Sequence, residues 1–158
     1  MMLAFFKWFA DLQVSHAINM SVWIYPLVQA LHLVAVAVFA GAILIVDLRL
    51  LGRGITERPV AEVARDARPW LIWSFVALVA TGVPQLMSLA MKEYYSDFFW
   101  LKMGILLVAL IFTFTLRRKV TGAEEGRIRP LQAKMVGLVS IVLWAGVAIT
   151  ARFIGVFS

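Results

Sequence analysis

The residue in this sequence with the most chemistry in reach is a single histidine. His32 stands inside a long apolar run, IYPLVQALHLVAVAVFAGAILIV, where it shares a helical stripe with Tyr25 and Gln29 at spacings i, i+4 and i+7. A neutral imidazole held at that depth can ligate haem iron or copper. Downstream, Ser74, Thr81, Gln85 and Ser88 form a similar stripe, and Lys102 lies about one turn inside a third apolar run. Read together, Tyr25, Gln29, His32, Gln85 and Lys102 are expected either to line one outward-opening polar pocket shared by three helices or to serve only as hydrogen-bonding glue between them. Lys102 lies nearer the surface than His32 by roughly 9 Å of helix rise. That offset suits it to snorkel, or to pair with a propionate or another anion, better than to ligate a metal.

Methionines offer a rival constellation. Met87 and Met91 are spaced i, i+4, and Met103 falls at similar depth. Thioethers with His32 would suit Cu(I), whereas scattered methionines also simply fill apolar gaps. Gly137, Ser140, Ala148, Ala151 and Gly155 make a small-residue face interrupted by Trp144. Such a face permits close helix contact, or makes room for a flat cofactor on which Trp144 would stack. Ala37 and Gly41 make a shorter face of the same kind.

The elements that position these residues follow from composition. Of 158 residues 63% are hydrophobic and only 15% charged, too few polar groups to cover the apolar surface in water. Four runs are long enough to cross a bilayer, at about 22–46, 70–91, 98–116 and 131–157. The expected fold is all-α, a single transmembrane four-helix bundle over 1–158. Residues 2–14 are expected to form an amphipathic interfacial helix, and no cleavable signal peptide is apparent. Thr81-Gly82-Val83-Pro84 is expected to interrupt the second span, since Pro84 frees the Ala80 carbonyl.

Basic residues set the orientation. Loop one and its flanks carry Arg49, Arg53, Arg58, Arg65 and Arg68, and loop three carries Arg117, Arg118, Lys119, Arg127, Arg129 and Lys134. The opposite side holds only Lys7, Lys92, Lys102 and Arg152. Loops one and three are therefore expected in the cytoplasm and both termini outside it, in the periplasm of a bacterium with this as an inner-membrane protein. The net charge of +6 is then a matter of topology and anionic lipid, not nucleic acid. Asp47, which closes the first span, is expected to pair with a basic residue of another helix.

The run SVWIYPLVQALHLVAVAVFAGAILIVDLRLLG resembles an uncharacterised family of small four-helix bacterial inner-membrane proteins, a domain of unknown function. More distantly, His32 with Gly41 and Trp100-Leu101-Lys102 looks like the copper-resistance D membrane domain and the haem-binding membrane protoporphyrinogen oxidases. Those distant relatives imply copper passage or haem-b redox chemistry, carried over to His32 and Lys102 alone.

Three functions are compatible with these residues. The first is a haem-b-associated redox or electron-transfer subunit. The second is periplasm-facing copper binding or transport through His32 with Met87, Met91 or Met103. The third is an anchor or assembly subunit with no cofactor, working as a homo-oligomer or within a larger membrane complex. Tyr25, Gln29 and His32 could also hydrogen-bond a quinone. There is no cysteine, and no catalytic triad, carboxylate pair or phosphate loop, so no residue is assigned a catalytic role.

Overall fold

The computed structural model describes residues 6–8, 11–12, 21–122 and 129–157. Its long helices are α1 (Ile24–Leu50) and α2 (Val60–Ser88), then, after the short α3 (Ala90–Tyr94), α4 (Asp97–Phe112) and finally α6 (Pro130–Phe157). α4 runs on through a π-turn, Thr113–Arg117, into a last turn, α5 (Arg118–Thr121), so the third span covers Asp97–Thr121. All four spans are long and apolar enough to cross a membrane.

Their packing is that of a bundle turned inside out. Leu27, Leu31, Leu33 and Val34 are each more than half exposed, while Asp47, Ser140, Thr113, Arg117, Thr121 and Thr150 are buried. Only lipid on the outer faces makes that distribution tolerable. The inward seam of α1 is Tyr25, Val28, His32, Ala35, Phe39, Ala42 and Val46, all buried or half-buried. That of α2 is Ala67, Leu71, Ser74, Leu78, Thr81, Gln85 and Ser88. Both alternate steps of three and four, the spacing that keeps a seam against a supercoiled partner.

α1 packs along α2, α4 along α6, and α1 along α6. α2 and α4 do not pack along each other. They approach near one end through Phe75 and Phe114, whose rings are 5.9 Å apart, and at the other through the cluster of Leu86, Ala90 and Phe99. Between these contacts the two helices share no extensive packing.

α2 departs from expectation in two ways, and the third span runs five residues past its expected end at 116. α2 begins at Val60, ten residues before the apolar run, because Glu62 can pair with Arg58 (3.6 Å) and Arg65 (3.9 Å) along its first turns. The helix also continues through Pro84 instead of breaking there. Side chains stitch the polar backbone nearby: Gln85 Nε2 donates to the Thr81 carbonyl (3.2 Å) and Ser88 Oγ to that of Pro84 (2.9 Å). The expected interfacial helix over 2–14 lies mostly outside the described residues; within it residues 6–8 are helical, and Phe6 is buried against Ala90 and Phe99.

Candidate functional site

Polar side chains in hydrocarbon must find partners. On α2 most find them on their own helix, as Ser74 Oγ does at the Trp70 carbonyl (2.5 Å). Thr81 is different. Its Oγ1 donates to the Ala77 carbonyl (2.7 Å) and also lies 2.8 Å from His32 Nδ1 on α1. A hydroxyl has one proton, and here the carbonyl takes it. With that proton so placed, Thr81 accepts from His32 in the tautomer that carries its proton on Nδ1. Nε2 is left with its lone pair. The ring lies on Gly82, where a Cβ would stand 3.4 Å from His32 Cε1. The seam of α1, the Thr81 hydroxyl and the bare backbone of Gly82 thus fix the orientation of the imidazole.

The other residues expected around it divide. Lys102 on α4 is half-buried, and its charge acts on both His32 and Glu93. Glu93, outside the spans, has its carboxyl pushed above the usual range by burial, against the opposing pull of Lys102 and Lys92. Tyr25 is half-buried on the seam, but Gln29 is exposed, one position off it, and does not line the interior. Of the residues expected around the imidazole, Tyr25 and Lys102 are thus half-buried, and Gln29 is not. Gln85 is turned onto its own helix.

Trp144 stands in the core instead of on an open face. Its ring meets Phe39 edge-on at 4.8 Å, and Nε1 donates to Thr113 Oγ1 (3.1 Å). Met87 is buried and Met103 exposed, and the Met91 side chain lies outside the described residues. Among the described residues no three His, Asp or Glu side chains gather as a metal site. The Ala37 and Gly41 face is not a helix contact: Ala37 is exposed and no atom lies within 4 Å of a Cβ at Gly41.

A second polar centre lies at the opposite end of α1. Asp47 is fully buried, and its Oδ1 accepts from Arg117 Nε at 2.8 Å. The same guanidinium donates through Nη2 to the Ile43 carbonyl (3.0 Å), so its fork spans one turn of α1. Ser140 of α6 stands beside the carboxylate. The expected partner for Asp47 is thus found, in a residue counted from sequence as a loop cation.

The π-turn explains why Arg117 points inward. Ala109, Thr113, Arg117 and Thr121 are all buried at steps of four. In a regular α-helix each such step drifts by about 40°. A wider turn at Thr113–Arg117 offsets that drift and keeps the stripe on the bundle. The spacing of four, running from the apolar span into the basic stretch, is the sequence signal that marks Arg117 as interior. For Thr81 the signal was its place in the α2 stripe.

Fold and geometry together define a multi-pass membrane protein of four packed spans, with a buried ion pair near one end and an oriented imidazole towards the other. The chain belongs to the family of unknown function DUF6644, whose model matches residues 5–158. No curated protein and no solved structure matches it, so the more distant likenesses to copper and haem proteins rest on the residues alone.

Proposed function

We propose that this chain is a haem-b-associated redox or electron-transfer subunit of a bacterial inner membrane, with His32 as the axial ligand it contributes. The observation that supports this reading is the His32–Thr81 hydrogen bond. Metal-ligating histidines characteristically donate their second ring N–H to a fixed acceptor, which sets tautomer and ring direction. With Nδ1–H committed to Thr81 (2.8 Å), Nε2 is the free donor atom. His32 is the one histidine among the described residues, so a second iron ligand would be a side chain of another kind, a group from another chain, or absent. Lys102 is suited to pair with a propionate, and a flat group would enter between α2 and α4, which do not pack along each other. A bound haem would supply one-electron chemistry; the protein's own part would be to hold and aim the imidazole.

Protein purified from haem-sufficient cells is expected to show a Soret band. His32→Ala should abolish it, and Thr81→Val should weaken haem affinity about 10- to 100-fold by releasing the ring. A haem-sufficient preparation with no Soret band would sink the reading.

The proposed orientation puts the His32 half towards the periplasm and the basic loops in the cytoplasm. Because the chain has no cysteine, single cysteines report sidedness directly. Tyr95 and Ile55 are both exposed. Tyr95→Cys is expected to react with an impermeant maleimide in intact spheroplasts, and Ile55→Cys only after lysis. The reverse pattern would invert the topology.

A further inference from the structure

The last turns of the third span carry a feature that neither the imidazole nor the ion pair uses. An open groove of about 460 Å³ is lined by Phe114, Thr115, Arg118, Lys119 and Gly122. Its cations differ from their neighbour. Arg117 is buried and neutralised by Asp47, whereas Arg118 and Lys119 are exposed and, among the described residues, pair with no carboxylate. Its apolar wall is Phe114, 42% exposed, with Leu116 at 48% on the same stretch of helix. Thr115 is occupied, since its hydroxyl donates to the Ile111 carbonyl. Gly122 closes the last turn, its N–H donating to the Arg118 carbonyl, from which a Cβ would stand 3.1 Å.

Two cations without a carboxylate partner among the described residues, beside an exposed aromatic ring at the end of a membrane span, match one kind of ligand. The cations would meet a phosphodiester, and Phe114 would lie along the first part of an acyl chain. We infer that this groove is a binding site for the headgroup of an anionic phospholipid. The π-turn contributes directly. By sending Arg117 inward to Asp47 it leaves the next two residues, Arg118 and Lys119, together on the lipid-facing surface. A free phosphate offers the same charge but nothing for Phe114, so the site is assigned to lipid.

Native mass spectrometry of the full chain, delipidated in detergent and titrated with phosphatidylglycerol or phosphatidylcholine, tests this. Wild type is expected to prefer phosphatidylglycerol. Each cation near an anionic headgroup contributes about a fivefold preference, so Arg118→Gln with Lys119→Gln should reduce it by about 25-fold. The charge-conserving pair Arg118→Lys with Lys119→Arg should retain most of it. Both side chains are exposed, so unchanged thermal unfolding is expected to accompany the loss. Arg53→Gln with Arg68→Gln, exposed cations of the first connection and the start of α2, should leave the preference intact. The proposal is overturned if the Arg118/Lys119 pair keeps the wild-type preference, or if the control pair loses as much. Displacement of phosphatidylglycerol by millimolar inorganic phosphate would overturn it too.

Discussion

Arg117→Ala is expected to be among the most damaging single substitutions in the bundle, costing about 3–5 kcal/mol of unfolding free energy. Asp47 is 0% exposed and Arg117 5%, so removing the guanidinium strands a carboxylate between three helices with no water to solvate it. It also leaves the Ile43 carbonyl without its donor from the third span. The pair itself is a different matter. Two well-packed apolar residues of similar volume often replace a buried ion pair at little or no cost. Asp47→Leu with Arg117→Met should therefore recover most of the stability lost by Arg117→Ala. Reversible unfolding in mixed micelles measures both. If the single substitution costs less than about 1 kcal/mol, in the range of an exposed pair, the ion pair is not the lock described here.

Much of this architecture could be read in the sequence, and the reason is physical. A bilayer allows a narrow menu of backbone structures, so apolar length alone located four spans. The stripes on α1 and α2 then pointed inward because hydrocarbon penalises the alternative. The expectation failed where a single helical turn decided the outcome. Gln29 follows Tyr25 by four and looks co-facial, but the seam alternates threes and fours and takes Val28 instead. Arg117 looked like a loop cation because nothing in its type announces the π-turn behind it. It should be struck from the charges that orient the chain, though Arg118, Lys119, Arg129 and Lys134 still weight that end. Trp144 could stack on a cofactor or on a core ring with equal ease as a residue type; Phe39 and Thr113 decide it. Thr81 was visible as part of a stripe, but its partner was not, since pairing across helices depends on relative rotation and depth that composition does not encode.

The same limit applies to the small residues, and there it leads to a sharp contrast between two glycines. Gly137→Ala is expected to destabilise the bundle by about 1–3 kcal/mol, the range for overpacking a close contact. A Cβ at Gly137 would stand 3.0 Å from the Asp47 carbonyl oxygen and 3.1 Å from Leu50 Cβ. The first of these is helix backbone and cannot swing aside, so α1 and α6 would have to part by a few tenths of an ångström. Gly137→Leu should cost more. The displaced turn is also the one that carries Asp47, so the substitution should disturb the ion pair with Arg117. The two perturbations should then fall short of additivity, with a coupling of about 0.5 kcal/mol or more in a double-mutant cycle of Gly137→Ala and Arg117→Ala. Gly41→Ala is the control, since no atom lies within 4 Å of its would-be Cβ and little change is expected. Equal effects at the two glycines would mean that the approach of α6 to α1 is not what holds Asp47 in place. A full effect at Gly137 with strict additivity would separate helix contact from ion pair and leave each to stabilise the bundle on its own.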